Sequence, residues 1–229
     1  MLLLILGKGK TGSLVAQVAR ERGHSVRVLD LAENRHASAL TAPALAGIDV
    51  VIDFTTAEAA LGNMRAVLAL GGRIVVGTTG WYAQLADMRA LAERRGGALL
   101  YGTNFSIGVQ KLFRLTAELA KLEGYRFSIT ETHHESKLDA PSGTAVTLQH
   151  IVEEAQAKMG AGPNVEVVSH RVGDAKGEHT ITAAGPDDVI ELRHEALSRR
   201  SFALGAVRAA EWLHDKTGAH DFREIFDQL

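Results

Sequence analysis

The chain has 229 residues, of which 46% are hydrophobic and 23% charged, and its 25 basic and 27 acidic residues give a formal net charge of −2. This near-neutral balance argues against a general nucleic-acid binder, which needs a surplus of cations to neutralise phosphates. The sequence contains no cysteine, which excludes disulfides, iron–sulfur clusters, thiolate metal sites and a cysteine nucleophile. The 23 glycines stand beside only 4 prolines, a ratio that predicts tight turns where backbone approaches another group closely.

Short apolar runs alternate with helical patterns over the first hundred residues. The first run has only the length of a strand and lacks the flanking features of a signal peptide, so we expect no membrane span and a cytoplasmic location. The predicted strands are Leu2–Leu6, Val26–Leu29, Val50–Ile52, Ile74–Val76 and Leu99–Tyr101, and the predicted helices are Thr11–Arg22, Ala57–Leu70 and Tyr82–Arg95. Unbroken apolar strands that alternate with helices predict an α/β fold with a doubly wound parallel sheet of the Rossmann type.

The pattern changes after Asn104. Helices are predicted at Val109–Leu122 and Thr144–Met159, and strands at Arg126–Thr132, Val165–Val172, His179–Ala183 and Val189–His194, followed by a helix at Phe202–Asp215 and an amphipathic tail at Asp221–Leu229. Alternation of polar and apolar residues in these strands predicts an open mixed sheet with one covered face. We therefore predict a dinucleotide-binding domain over residues 1–105 with a C-terminal return over 203–229, and an α+β domain over residues 106–202.

A glycine-rich loop follows the first strand and opens the first helix. Its sequence is Gly7-Lys8-Gly9-Lys10-Thr11-Gly12, which has the spacing G-x-G-x-x-G. In a strand–turn–helix context these glycines allow a tight turn, close approach to a pyrophosphate and close helix packing. Asp30 ends the second strand and is placed to accept hydrogen bonds from an adenosine ribose, which favours NADH, whereas Lys8 or Lys10 could meet the 2′-phosphate of NADPH. An ordinary glycine turn is the alternative interpretation.

The segment from His133 to Thr144 carries the densest chemistry. It combines His133, His134 and Lys137 with Ser142-Gly143-Thr144 at the predicted start of a helix. Free N–H groups at a helix start bind carboxylates or phosphates, and histidine exchanges protons near neutral pH. A simple helix cap and a solvated loop are the alternatives. Adjacent histidines on extended backbone point to opposite faces, so we predict no metal site there.

These segments together resemble the 4-hydroxy-tetrahydrodipicolinate reductase (dihydrodipicolinate reductase) family nearly end to end. The most specific shared motif is His-His-x-x-Lys-x-Asp-Ala-Pro-Ser-Gly-Thr-Ala, which begins at His133. The resemblance implies that His133 and Lys137 donate the proton and that His134, Gly143 and Thr144 bind the substrate. It also implies cofactor contacts from the glycine loop, from Gly77, Thr78 and Thr79, and from Gly102, Thr103, Asn104 and Phe105. A homotetramer assembled through the sheet of the second domain is implied as well.

The resulting hypothesis is reduction of a small cyclic dicarboxylate by NADH or NADPH, with no metal cofactor, nucleic acid or membrane involved. Ser142 and Arg199 are further candidates for binding carboxylate groups, although Arg199 could simply face solvent. Two alternatives remain at this point. The protein could be another nicotinamide-dependent oxidoreductase of a small carboxylate substrate, or a non-enzymatic NAD(H) sensor. A sensor would usually need a basic DNA-reading helix, and none stands out in the sequence.

Overall fold

The computed structural model describes residues 1–160, 162 and 165–229. Their contacts divide them into two compact units, one formed by Met1–Ile107 with Arg200–Leu229 and the other by Gly108–Arg199. The domain limits expected from the sequence lie within three residues of these bounds. In the described part of the chain, no helix has both the length and the apolar character needed to cross a membrane.

The elements of the first unit alternate strictly between strand and helix. They are β1 (Leu2–Leu6), α1 (Lys10–Glu21), β2 (Ser25–Leu29), α2 (Ala42–Leu45), β3 (Val50–Asp53), α3 (Ala57–Ala69), β4 (Arg73–Val76), α4 (Leu85–Arg95) and β5 (Ala98–Tyr101). The second unit is formed by α5 (Ile107–Leu119), β6 (Arg126–His133), α6 (Gly143–Lys158), β7 (Glu166–Arg171), β8 (Glu178–Ala184) and β9 (Val189–Glu195). The return to the first unit consists of α7 (Arg200–Leu213), β10 (Gly218–Asp221) and α8 (Phe222–Ile225).

The sheet of the first unit has six strands in the order β10-β5-β4-β3-β1-β2, and every neighbouring pair is parallel. Alternate residues of β1 enter different cores: Leu3 and Ile5 pack with α1 and α7, whereas Leu4 and Leu6 pack with α3 and α4. Helices therefore cover both faces, and the predicted doubly wound parallel sheet is confirmed. Since all strands run in one direction, their carboxyl ends lie along one edge.

The strand β10 and the short helices α2 and α8 are not among the elements predicted from the sequence. β10 pairs with β5 through residues 218–221, just before the predicted amphipathic tail at Asp221–Leu229, and the tail itself contains α8. The sequence of β10 is Gly-Ala-His-Asp, which has none of the branched or aromatic residues that mark strands, so only its pairing with β5 makes it a strand. The helix predicted at Tyr82–Arg95 starts with a 3₁₀ turn and becomes α-helical at Leu85.

The sheet of the second unit has the strand order β7-β6-β8-β9. β6 is parallel to β7 and antiparallel to β8, and β9 is antiparallel to β8, so the predicted mixed sheet is confirmed. Ile129 and Ile181 from the strands pack against Leu112 of α5 and Leu148 of α6, which places both helices on one face. Glu131 and His133 continue the buried alternation of β6 toward the carboxyl end of this strand.

Candidate active site

The glycine loop of the first unit depends on the absence of side chains at two of its positions. Gly7 has φ +103°, and a Cβ atom there would lie 2.4 Å from the Phe54 carbonyl oxygen, while a Cβ at Gly12 would lie 2.1 Å from the Gly7 oxygen. At Gly9, by contrast, a Cβ would meet nothing within 4 Å. Gly9 is the N-cap of α1 and supplies no side-chain hydrogen bond to it. The start of α1 therefore offers open space and backbone N–H groups to an anion.

A buried carboxylate organises the neighbouring loops at the same edge of the sheet. Asp53, at the end of β3, accepts hydrogen bonds from Thr55 N, Thr55 Oγ1 and Thr78 Oγ1 on one oxygen and from Asn63 Nδ2 on the other, at 2.7–3.0 Å. Burial raises the pKa of Asp53, and the hydrogen bonds from Asn63, Thr55 and Thr78 oppose this shift. Thr78, predicted from the sequence as a cofactor contact, is thus fixed through its side chain.

Two further loops lie at this edge. Gly77 follows β4, where a Cβ would lie 2.3 Å from the Phe54 ring, and Thr79 beyond it is exposed. After β5, Gly102 is buried, Thr103 is exposed and Asn104 Oδ1 accepts the Ser106 N–H at 2.8 Å. The Phe105 ring is buried at 2% exposure and packs against Phe222, so it belongs to the core of the first unit.

Two carboxylates and one lysine meet at the end of β2. Lys8 Nζ lies 3.2 Å from Asp30 Oδ2 and 2.8 Å from Glu33 Oε2. Asp30 and Glu33 also accept each other's backbone N–H at 2.9 and 2.8 Å. The Glu33 N–H and Lys8 together lower the pKa of Asp30, so this carboxylate is ionised at neutral pH. Lys10 and Thr11 open α1, and Lys10 is exposed.

The second unit holds a fully buried glutamate beside the predicted acid. Glu131 Oε1 accepts hydrogen bonds from Ser142 N at 3.0 Å, Ser169 Oγ at 2.8 Å and Arg171 Nη2 at 3.3 Å. Burial alone would raise the pKa of Glu131, but the neighbouring His179 ring and the hydrogen bonds from Ser142 and Ser169 outweigh burial and hold the pKa well below its usual range. The carboxylate is therefore ionised.

Two imidazole rings face the other oxygen of Glu131. His133 Nδ1 lies 3.4 Å and His179 Nε2 lies 3.6 Å from Glu131 Oε2, and both histidines are buried. The ring centroids are 5.0 Å apart. Burial, followed by the nearby His179, lowers the pKa of His133 to about 4 despite the opposing charge of Glu131. His133 is therefore a neutral imidazole at neutral pH in the free protein.

The loop after β6 presents the predicted lysine. Lys137 Nζ donates to both carboxylate oxygens of Asp139, at 2.6 and 2.8 Å. Arg171, whose guanidinium contacts Glu131, also donates to the carbonyl oxygens of Lys137 and Asp139. His134 is half-buried, and its Nδ1 lies 2.8 Å from a serine hydroxyl at position 136. Arg171 therefore ties this loop to the buried glutamate.

The start of α6 follows the same loop. The Ser142 hydroxyl accepts the Ala145 N–H at 3.2 Å as an N-cap, and it lies 3.2 Å from His179 Nε2. Ser142 itself is buried, so its hydroxyl serves the helix start and the buried cluster, whereas Gly143 is exposed. Arg199 is half-buried, and its charge contributes, after that of Lys176, to lowering the pKa of Asp174.

Sequence reasoning did not assign a role to three residues of this cluster. These residues are Glu131, His179 and Arg171. In the described part of the chain, one group of three residues has the types and spacing to hold a metal ion, namely Glu131, His133 and His179, with potential ligand atoms within 4.8 Å of one another. The guanidinium of Arg171, 3.3 Å from the same carboxylate, opposes a second cation at this position.

Comparisons with known proteins cover the whole chain. Residues 1–105 match a family model described as dihydrodipicolinate reductase, N-terminus, and residues 108–226 match one described as dihydrodipicolinate reductase, C-terminus. The 4-hydroxy-tetrahydrodipicolinate reductase of Christiangramia forsetii is 35% identical, with 100% of this chain and 99% of the relative covered. That of Natronomonas pharaonis is 38% identical over 94% and 96% of the two chains. A dipicolinate-bound dihydrodipicolinate reductase from Paenisporosarcina sp. TG-14 superposes with a TM-score of 0.80 at 25% identity, covering 98% of this chain and 99% of that structure.

Proposed function

Because the chain belongs to the dihydrodipicolinate reductase family, we propose how its residues carry out the 4-hydroxy-tetrahydrodipicolinate reductase reaction that this membership assigns to it. The reaction reduces 4-hydroxy-tetrahydrodipicolinate to tetrahydrodipicolinate with loss of water, in the route to diaminopimelate and lysine. Membership of this family confirms the resemblance found in the sequence, and it decides against the sensor and the other oxidoreductases.

The first unit fits a nicotinamide dinucleotide. The open space at Gly9 and the uncapped start of α1 suit a pyrophosphate. A side chain at Gly7 or Gly12 would displace the loop and so prevent the pyrophosphate from binding. We assign the Gly77–Thr79 and Gly102–Phe105 segments to the nicotinamide half, because they follow β4 and β5 at the edge that holds the glycine loop. When bound, the cofactor supplies a hydride from its nicotinamide ring.

The end of β2 favours NADH over NADPH. Two carboxylates, Asp30 and Glu33, stand where the adenosine ribose of a dinucleotide is read, and Lys8 is already paired with both of them. A ribose hydroxyl can donate to Asp30, whereas a 2′-phosphate would bring a further negative charge next to two carboxylates. The proposal predicts a higher kcat/KM with NADH when both cofactors are assayed in parallel.

The second unit fits a small dicarboxylate. Lys137, His134 and the backbone N–H groups at the start of α6, at Gly143 and Thr144, provide donors for carboxylate oxygens, and Arg199 adds a positive charge. The contact between Lys137 and Asp139 shows that this ammonium group already binds a carboxylate. A substrate carboxylate would take the place of Asp139.

His133 is assigned as the proton donor. In the free protein it is neutral near pH 7, because burial and His179 hold its pKa at about 4. A bound dicarboxylate adds negative charge, which raises the pKa of a neighbouring imidazole and favours the charged form. His133 thus becomes able to donate a proton when the substrate is present, and Lys137 holds the substrate against it.

Three further expectations remain part of the proposal. No metal takes part in the reaction, since the donors described above provide both the anion binding and the proton. We place the protein in the cytoplasm, where its substrate class is made. We also propose a homotetramer that uses the uncovered face of the second sheet, where Thr130, Val168 and Glu191 are exposed.

The observation that carries the assignment of roles is the buried His133, which lies beside Glu131 and directly precedes the loop that holds Lys137. Loss of absorbance at 340 nm, with substrate formed in situ from pyruvate and aspartate semialdehyde, measures the activity. We expect His133→Gln or Lys137→Gln to lower kcat by about 10²–10⁴-fold. His150→Gln, on an exposed position of α6, is the matched control. Wild-type kcat in His133→Gln would refute the assignment of the acid, and absence of substrate-dependent oxidation of either cofactor would refute the function.

A further inference from the structure

We propose that Glu131 is a positioning residue for His133: its Oε2 atom accepts the Nδ1–H of His133, so that Nε2 is the ring atom that exchanges a proton with the substrate. The inference rests on the proposed function, in which His133 is the acid. The geometry around the carboxylate, the second ring and the far side of His133 supports it.

The carboxylate of Glu131 is held in one orientation. It is 0% exposed, and its Oε1 atom receives hydrogen bonds from the Ser142 N–H, the Ser169 hydroxyl and the Arg171 guanidinium. These donors come from the loop before α6 and from β7, so a rotation of the carboxylate would break several contacts at once. Oε2 consequently stays directed at the two imidazole rings, and it has no hydrogen bond of its own.

Of the two rings, His133 is the one that needs this oxygen. His179 Nε2 lies 3.6 Å from Oε2 but has a closer neighbour in the Ser142 hydroxyl, at 3.2 Å. His133 Nδ1 lies nearer to Oε2, at 3.4 Å, and is buried without any hydrogen-bond partner. A buried polar atom without a partner is unfavourable. At 3.4 Å the two atoms are close enough for a hydrogen bond once the Nδ1–H is directed at Oε2, and that bond would satisfy both of them.

A glycine lies next to the other ring nitrogen of His133, Nε2. Gly177 has φ +131°, and a Cβ atom at this position would lie 3.2 Å from His133 Nε2. Any other residue would therefore press on Nε2 while adopting a backbone conformation that favours glycine. With Nδ1 directed at Glu131, Nε2 is the nitrogen left for the substrate.

Electrostatics give Glu131 a second effect on His133. The ionisable groups that face His133 are Glu131 on the same strand, His179 on β8, Arg171 on β7 and Lys137 in the following loop. Burial has the largest effect and lowers the pKa of His133, the three basic groups lower it further, and of the four only Glu131 raises it. Without this carboxylate, nothing in the group would favour the imidazolium form.

Glu131→Gln tests the proposal because it keeps the size of the side chain and removes its charge. We expect kcat to fall about 10²-fold, the lower end of the range for a positioned acid, with an unchanged KM for NADH. The midpoint at which kcat declines with rising pH should also move to lower pH, because the imidazolium loses its counterion. Glu131→Asp keeps the charge and should restore part of the midpoint shift. Glu123→Gln, at an exposed position, is the matched control.

If Glu131 had a purely structural role, Glu131→Gln would reduce kcat without moving this midpoint, and that result would overturn the proposal. Activity of Glu131→Gln within twofold of wild type would also overturn it. If Glu131→Gln does not fold, long-range nitrogen–proton correlation NMR of the wild-type protein decides instead. The neutral His133 ring should be protonated at Nδ1, and protonation at Nε2 would overturn the proposal. The result for His133→Gln tests a different statement. Wild-type kcat in that variant would refute the role of His133 as the proton donor, while the NMR result would still show whether His133 and Glu131 form a hydrogen bond.

Discussion

Asp53→Asn would test whether one buried carboxylate holds together the loops at the cofactor edge of the first unit. The carboxylate accepts four hydrogen bonds, from Thr55 N, Thr55 Oγ1, Thr78 Oγ1 and Asn63 Nδ2. An amide has only one oxygen, so in either orientation its NH₂ group faces donors. At least one hydrogen bond is lost and one buried donor is left unsatisfied, which costs about 2–4 kcal/mol in the free energy of unfolding.

The assay is thermal and urea unfolding of the wild type and of Asp53→Asn, followed by steady-state kinetics. In a domain of this size the expected loss lowers the melting temperature by roughly 5–15 °C. Because Thr78 is released, the KM for NADH should rise more than kcat changes. Asp187→Asn, at an exposed position, controls for the loss of a carboxylate and should leave both measurements unchanged. An unfolding midpoint equal to that of the wild type would show that the four hydrogen bonds do not act as described.

Three other variants give separate tests. Gly177→Ala adds a Cβ that would lie 3.2 Å from His133 Nε2 at φ +131°, so kcat should fall at least tenfold, and an unchanged kcat would argue against Nε2 as the reacting atom. Asp30→Ala should raise the NADPH-to-NADH ratio of kcat/KM, whereas a constant ratio would refute its role in cofactor choice. Burial raises the pKa of Glu211, but the bidentate hydrogen bonds from Arg22 and the contact with His24 outweigh burial and lower this pKa. Glu211→Gln should therefore cost about 1 kcal/mol of stability near pH 7. Because the folded pKa is below the unfolded one, this difference should disappear as the pH falls below about 4, and a difference that persists there would contradict it.

The candidate site residues that the sequence indicates are those that lie close together along the chain. The glycine loop and the segment from His133 to Thr144 each lie within a dozen residues, so spacing alone indicates their chemistry. The strand β10 could not be predicted, because Gly-Ala-His-Asp carries no strand preference and becomes a strand only through its pairing with β5.

The missing members of the buried cluster come from the register of neighbouring strands. Glu131 is paired with His179 on β8 and with Ser169 on β7, and His133 is paired with Arg171. The paired residues lie 38–48 positions apart in the sequence. The register that brings them together cannot be inferred from any short sequence pattern. One signal was available. His179 is two and four positions before the apolar Ile181 and Ala183 of its strand, and this spacing places its side chain on the same, core-facing side of the sheet.

In the described part of the chain, each unit thus has one fully buried carboxyl group near the end of a strand, and the two differ in the groups around them. Asp53 is surrounded by neutral donors, and burial raises its pKa; Glu131 faces imidazole rings and a guanidinium, and its pKa is held low. Replacing Asp53 by Asn should therefore change the geometry of loops, which is measured as stability and cofactor KM. Loss of the Glu131 charge should change the protonation of His133, which is measured as kcat and its dependence on pH. A double variant should show both sets of effects additively, because the two carboxylates lie in separate units and share no partner.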